Sequence, residues 1–298
     1  MVDDGAASWR PAVTVRQAVA GAALLLAEAG VPSADVDARL LAEHVLGRSL
    51  FLVPAASTFA DLGEGLQAHY AELVDRRRRR EPLQHITGQM PFRHLVLVAA
   101  PGAFVVRPET EVVAGVAVDA AATVAAGGRA PVVVDLCTGS GAIALAVATE
   151  VPGARVHAVE ISEAALAVAR RNVDALAPSV DLVLGDAATA LPALDGAVDV
   201  VVSNPPYIPP DAVPREHEVR EHDPDLALYG GGPDGLAVPR AVVRTAARLL
   251  RPGGTFVMEH AEVQAGAARE LVAAAGFAEV RTGQDLTGRD RYVVARRR

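Results

Sequence analysis

The sequence predicts an α/β protein built on a doubly wound, mostly parallel sheet that closes with an antiparallel strand, preceded by a small helical domain. Three observations carry that expectation. From residue 131 onward, short apolar runs alternate with helix-patterned stretches. A glycine-rich turn joins the first of those runs to the first helix. The first 80 residues hold helix signals and nothing that reads as a strand.

The helical part divides at its punctuation. "VRQAVAGAALLLAEAG" ends at Gly30 with Pro32 just beyond, a helix stop. "SADVDARLLAEHVLG" opens on Ser33 as an N-cap and ends at Gly47. A third helix is predicted over residues 62–80, "LGEGLQAHYAELVDRRRRR". Its closing arginine run, residues 76–80, reads as a solvated helix end favoured by the helix dipole, with an acidic protein partner as the alternative.

In the second part, "PVVVDL", "RVHAVE", "VDLVLGD", "VDVVVS" and "TFVMEH" read as strands, with "AIALAVATE", "SEAALAVARRNVDAL" and "GLAVPRAVVRTAARLL" as helices between them. The two closing strands, "AEVRTG" and "RYVVAR", are separated by a short polar loop and are expected to pair as an antiparallel hairpin. Residues 207–236 lack periodicity and are long for a connection, which suggests a loop covering a substrate. The expected organisation is a helical domain over residues 1–82, a hairpin-like linker over 83–107 and the α/β domain over 108–298.

Composition excludes several classes. A hydrophobic fraction of 51% over 298 residues indicates a globular chain with room for a sizeable core. A net charge of -8 argues against a general binder of nucleic acid or anionic membrane. The acidic opening "MVDDGAASWR" lacks the basic start of a secretory signal, and "AVAGAALLLAEAG" is too short to span a bilayer. Cys137 is the single cysteine, which rules out an internal disulfide and fits a reducing cytoplasm. No lysine occurs, so Schiff-base chemistry and a phosphate-loop lysine are excluded. His217 and His222 lie among acidic loop residues without recognised ligand spacing, and no metal is expected. His260, after "VME", reads as a satisfied polar residue at a strand end.

"VVVDLCTGSGAIAL" carries the first chemistry. Gly139 and Gly141 let a ligand approach the backbone, and Ala142 and Ala144 allow close helix packing. Glu160 ends the next strand about 20 residues on, where an acid can hold ribose hydroxyls. A nicotinamide cofactor would also suit this fingerprint. Three features favour S-adenosylmethionine: Asp135 is placed to attract a methionine ammonium directly or through water, only one fingerprint is present, and Asp186 in "LGDA" is placed to accept from an adenine amino group. The closing strand pair also resembles the end of the class I methyltransferase fold. Cys137 reads as a small residue exposing backbone and not as a nucleophile, since no basic activator is near in sequence.

"VVSNPPYIPP" carries the second. A buried strand runs straight into two prolines that stiffen the chain, with an amide side chain before them and a ring after. Asn204, Pro205, Pro206 and Tyr207 resemble the signature of methyltransferases acting on planar nitrogens, in amides or exocyclic base amines. The Asn204 side-chain oxygen and the Pro205 carbonyl can accept both hydrogens of an NH2 group, and Tyr207 can stack on its plane. Positioning and electrostatics then replace a strong base.

Taken with "EPLQHITG", "RPETE" and "DLALYGGGPDGL", these motifs resemble the release-factor glutamine methyltransferases (the HemK/PrmC type) over nearly the whole chain. The resemblance implies N5-methylation, from S-adenosylmethionine, of the glutamine in the Gly-Gly-Gln motif of peptide chain release factors, with the N-terminal helical domain docking that partner. It implies that residues 204–207 hold the glutamine and that Cys137, Thr138, Gly139, Ser140, Gly141, Glu160, Asp186, Ala187 and Asn204 surround the cofactor. Phe104, Arg107, Pro108, Glu109, Thr110 and Glu111 are implied to line the same cleft. Two departures stand out: Cys137 where a glycine is common, and Ala187 where a bulkier adenine-stacking residue often occurs. A base-amine methyltransferase and, further off, a nicotinamide oxidoreductase are the rivals, and the acidic balance counts against the first. A cytoplasmic monomer that contacts neither nucleic acid nor membrane is expected.

Overall fold

The computed structural model describes residues 13–298, so the acidic opening stretch, residues 1–10, lies outside the described residues. The chain divides into two compact units, residues 1–87 and 88–298.

The first unit is helical: α1 (Val15–Glu28), α2 (Ala34–Leu46), α3 (Phe59–Leu62), α4 (Leu66–Arg78) and α5 (Leu83–Thr87). Thr14 caps α1 through a capping box with Gln17, and Gly47 ends α2 in the left-handed region. Ser33 does not cap α2 through its side chain; its hydroxyl donates instead to Asp37 Oδ1 at 2.8 Å. The helix expected over residues 62–80 starts later, as α4 at Leu66, because Gly63 and Gly65 separate it from α3. Leu26, Leu41, Phe59, Tyr70 and Leu73 form the core, with the Phe59 and Tyr70 rings stacked at 5.0 Å.

The arginine run closes α4 and is a solvated helix end only in part: Arg78 and Arg79 are exposed, but Arg77 is not. Arg77 is buried and donates to the buried Asp37 carboxylate at 2.7 Å. Arg76 pairs with Glu81, Arg78 and Arg79 with Asp75, and Arg80 reaches Ala29 O. A buried guanidinium needs such a partner, so at least Arg77 is structural.

The second unit opens with the antiparallel hairpin β1 (Gln89–Phe92) and β2 (Leu95–Val98), followed by α6 (Thr110–Ala126). No element is predicted from the sequence over α6, whose alanines and valines show no clear apolar stripe. Then come β3 (Val132–Leu136), α7 (Ala142–Glu150), β4 (Arg155–Glu160), α8 (Glu163–Leu176), β5 (Asp181–Leu184) and β6 (Val198–Ser203). The long segment after β6 holds two short helices, α9 (His217–His222) and α10 (Asp225–Leu228). The chain ends with α11 (Ala237–Leu249), β7 (Leu250–Glu259), α12 (Ala265–Ala274), β8 (Phe277–Gln284) and β9 (Asp290–Arg297).

The sheet order is β5-β4-β3-β6-β7-β9-β8. The first five strands run parallel, and β9 inserts antiparallel between β7 and β8. Successive residues of the central strands point to opposite faces, and both faces are buried. Val133, Val200 and Val202 pack with the cluster that includes α6 and α7, whereas Val134, Leu136 and Val201 pack with that of α11 and α12. Chain order reverses between β3 and β6, and a crevice therefore opens at their carboxyl ends.

Candidate active site

A cavity of about 620 Å³ occupies that crevice, entirely within the second unit. Most residues expected at a site meet on its wall: Phe104, Arg107, Pro108, Glu109 and Thr110 on one side, residues 137–140, Glu160, Asp186 and Ala187 on another, and residues 204–207 at the end of β6. Asp135, Gly141 and Glu111 do not reach it.

The turn after β3 is a backbone structure. Cys137, Gly139 and Gly141 all have positive φ, at 62°, 58° and 86°. This explains why glycine suits position 137 and why a small side chain is the alternative. Burial, with Glu160 and Asp135 adding to it, pushes the Cys137 thiol well above its ordinary range, so it is no thiolate nucleophile. Glu160 holds the turn from the neighbouring strand: one oxygen accepts from Gly139 N and the other from Ser162 N, each at 2.8 Å.

Asp135 does not line the cavity, so of the expected ammonium contact, direct or through water, the direct form does not fit this geometry. It is fully buried behind the turn, where Oδ2 accepts from Thr138 Oγ1 at 2.6 Å and from Ala144 N at 3.2 Å. Burial raises its carboxyl to about 7 despite those bonds. Its place is to brace the turn.

Two residues were missed by sequence reasoning, one behind the wall and one on it. Asn172 of α8 accepts from Val98 N at 2.7 Å and donates to Ser140 O at 3.0 Å, which staples β2 to the turn from behind. Ile161, next after Glu160, is 51% exposed on the cavity wall, an apolar surface where Ala187 supplies little. Ser140 Oγ is buried in the wall without a hydrogen-bond partner among the described residues. A cavity wall with an acid, an exposed apolar face, open backbone and an unpartnered hydroxyl fits a nucleoside carrying an amino acid.

At the other end, Asn204 Nδ2 donates to Thr110 Oγ1 at 3.2 Å. Thr110 Oγ1 in turn donates to Glu259 Oε2 at 2.8 Å, and the Tyr207 hydroxyl donates to Glu259 Oε1 at 3.2 Å. Burial, with the Glu259 carboxylate beside it, pushes the Tyr207 phenol well above its usual range, so the ring stays neutral. Gln264 holds the backbone here by donating to Tyr207 O at 2.8 Å and to Asp234 O at 3.1 Å. The glycines of "YGGGPDG" have a reason too. A Cβ on Gly230 would collide with Gly235 O and Pro206 O, and one on Gly235, whose φ is +73°, with Tyr207 O and Pro209 N.

The segment after residue 207 lies over the cavity: Pro214, Arg215, Glu216, Val219 and Leu226 belong to the wall. Asp223 ties it down, accepting from Val105 N at 3.3 Å and from Arg107 at 3.1 Å. Burial raises the Asp223 carboxyl to about 6, with Arg107 and the Val105 N–H pulling the other way. His260 is buried with Nδ1 2.9 Å from Ala261 O and Nε2 without a partner among the described residues. It does not line the cavity.

Family comparisons agree with this geometry. Residues 17–88 match the model for a PrmC N-terminal domain and residues 133–218 that for a methyltransferase domain. A release factor glutamine methyltransferase from Streptomyces coelicolor is 50% identical over 286 residues, covering 94% of this chain and 96% of that protein. The chain belongs to the release factor glutamine methyltransferase family. Other members are similar over comparable spans: that of Mycobacterium tuberculosis is 46% identical across 96% of this chain and 92% of its own length. That of Bifidobacterium longum is 45% identical across 91% and 95%. As in that family, the fold is that of a class I methyltransferase and the cofactor is S-adenosylmethionine. Among the described residues no helix is long and apolar enough to cross a membrane.

Proposed function

We propose that this enzyme transfers a methyl group from S-adenosylmethionine to the side-chain amide nitrogen of the glutamine in the Gly-Gly-Gln motif of peptide chain release factors. One observation carries the reading. Asn204 Oδ1 and Pro205 O both belong to cavity-wall residues at the end of β6, and no group among the described residues donates to either. Two fixed acceptors side by side match the two hydrogens of a primary amide.

The cofactor supplies an electrophilic methyl on a sulfonium. Glu160 would take its ribose hydroxyls, Ile161 and Ala187 its purine, Asp186 the exocyclic amine, and the turn at residues 137–140 the amino-acid end. The protein's own contribution is placement. An amide nitrogen is a weak nucleophile because its lone pair is delocalised. Accepting both N–H hydrogens at Asn204 and Pro205 fixes the NH2 group and favours lone-pair density on the face toward the methyl group. Tyr207 would flank the amide plane, and Arg107 and Asp223 would keep the covering segment in place.

The helical unit would dock the release factor, and Phe51 and Leu52 offer an exposed apolar contact on it. The enzyme would act on protein, not nucleic acid, as a cytoplasmic monomer. The internal pairing of the arginine run supports a protein substrate over a nucleic-acid one.

The test is incubation with labelled S-adenosylmethionine and a purified bacterial release factor, followed by mass spectrometry of the peptides. A methyl on the Gly-Gly-Gln glutamine is expected. Transfer to RNA or DNA in its place would overturn the reading.

A further inference from the structure

The acceptor end of the cavity leans on a carboxylate that no motif reading singles out. Glu259 is the last residue of β7, and β6 pairs with β7 in a register that sets Ser203 opposite Met258. Continuing that register by one brings Glu259 alongside Asn204. The side chain is buried and does not line the cavity. Both of its oxygens are used, one by Thr110 and one by Tyr207.

The direction of each bond follows from chemistry. An ionised carboxylate only accepts, so Thr110 must donate its single hydroxyl hydrogen to Glu259. The lone pairs of Thr110 Oγ1 are then what remains for Asn204. Asn204 can approach them only with its NH2 group, which leaves Oδ1 for the cavity. The Tyr207 hydroxyl is committed to the other carboxylate oxygen by the same logic. We propose that Glu259 is a positioning residue: through Thr110 it fixes Asn204 with its oxygen toward the acceptor nitrogen, and it holds Tyr207 by the phenol. This deepens the reading of residues 204–207 and rests on it.

A protonated Glu259 would reverse the relay. It would donate to Thr110 or Tyr207, and a Thr110 hydroxyl freed from the carboxylate could donate to Asn204 Oδ1. The amide would then turn its NH2 group into the cavity, opposing the NH2 group of the substrate. Charged and titratable groups on every neighbouring element act on this equilibrium. Burial raises the Glu259 carboxyl from its ordinary 4.5 to about 7, and Glu109 at the start of α6 adds to the rise. The bonds from Thr110 and Tyr207, and Arg291 of β9, pull it down. Arg291 is itself shared with Glu109 at 3.7 Å and Asp285 at 3.1 Å. His260, next in the chain, is held in its neutral form by burial.

The sign is fixed. Folding raises this pKa, so the group's contribution to stability is complete below about pH 4.5 and is lost as pH rises through about 7. Activity runs the other way, since the relay needs the ionised form that predominates above about 7. The kcat for methyl transfer should therefore fall as pH drops through about 7.

Glu259→Gln removes the charge at constant shape, and Thr110→Val removes the link while keeping bulk. In each, kcat is expected to drop about 100-fold, as for a lost oriented contact, with cofactor Kd unchanged and the acid limb near pH 7 gone. Thr110→Ser should recover most of what Thr110→Val loses. At pH 8 Glu259→Gln should melt higher than wild type, because a buried charge has been removed; a purely structural residue would melt lower. A kcat within threefold of wild type in Glu259→Gln, or a loss matched by a lower melting temperature, overturns the proposal.

A second measurement needs no substrate and so separates this inference from the proposed function. With asparagine labelled by 15N, the Asn204 side-chain NH2 resonances of the full-length wild type should shift with a midpoint near pH 7, and stay constant in Glu259→Gln. Constant resonances in wild type overturn the relay even if the release factor is methylated. A shifting pair beside a release factor that is not methylated keeps the relay and sinks the substrate assignment.

Discussion

The two ends of the cavity are built in different ways. The turn after β3 is held mainly by its own backbone and by near neighbours: Asp135 is three residues from Thr138, and Glu160 comes from the adjacent strand. The loop after β6 is held from a distance. Thr110 lies 94 residues before Asn204 in the chain, and Glu259 and Gln264 come 52 and 57 residues after Tyr207 and reach it from β7 and the start of α12. A nucleotide-like ligand needs exposed amides and one acid, which a short loop provides. Orienting a primary amide needs acceptors fixed in rotation as well as position, and that takes several elements. Damage to the first end should therefore appear in cofactor binding, and damage to the second in turnover.

The sharpest way to break this division is Asn204→Ala. It deletes one of the two acceptors, and methyl transfer is expected to fall about 1,000-fold, the scale of losing one preorganised hydrogen-bonding group. Calorimetry should find the cofactor affinity within a few-fold of wild type. Equal losses in both would mean that the two ends act as one.

Gly235→Ala probes the same end without touching a reacting group. The added methyl meets Tyr207 O and Pro209 N in a left-handed backbone position, so the loop must move. A displacement near 1 Å costs about 100-fold in rate when geometry carries catalysis. The expected signature in steady-state kinetics is a lower kcat with little change in cofactor Kd. Unaltered kcat would show that the loop tolerates movement and that its rigid scaffold is incidental.

This division also governs what could be read from the chain. The glycine turn and Glu160 are legible because their partners are close in sequence and their spacing follows from one strand-turn-helix unit. Asn-Pro-Pro-Tyr stands out because two prolines interrupt a buried strand. Its scaffold does not, since Glu259 reads as the end of an apolar strand and Gln264 as one more polar residue before a helix. The buried placement of Asp135 was not legible for a related reason. Its position beside the turn is visible in sequence, but the inward direction of its side chain is decided by alternation along β3, whose five residues are all buried. The helix α6 was missed because it is apolar on nearly every side, as expected for a helix packed on a sheet and against α7.

Glu160→Gln moves to the other end. A glutamine can accept one of the two N–H bonds from Gly139 and Ser162 but opposes the other with its own NH2 group. Cofactor Kd is expected to rise about tenfold, the scale of one charge-assisted hydrogen bond, while kcat at saturating cofactor stays within a few-fold of wild type. If kcat fell as far as in Gly235→Ala, the separation of binding from turnover would fail.

Cys137→Gly is the mildest test. At φ +62° a side chain costs about 1–2 kcal/mol, which glycine would recover. Against that stand the extra chain entropy of glycine, about 0.5–1 kcal/mol, and the lost burial of a small side chain that packs against the cluster around Val134 and Leu136. The terms nearly cancel, so melting temperature is expected to change by less than about 3 °C. Cofactor Kd should hold as well, because the amides that face the cavity keep their backbone path. A large loss of affinity would mean that the thiol itself touches the cofactor, and that the turn is more than a backbone device.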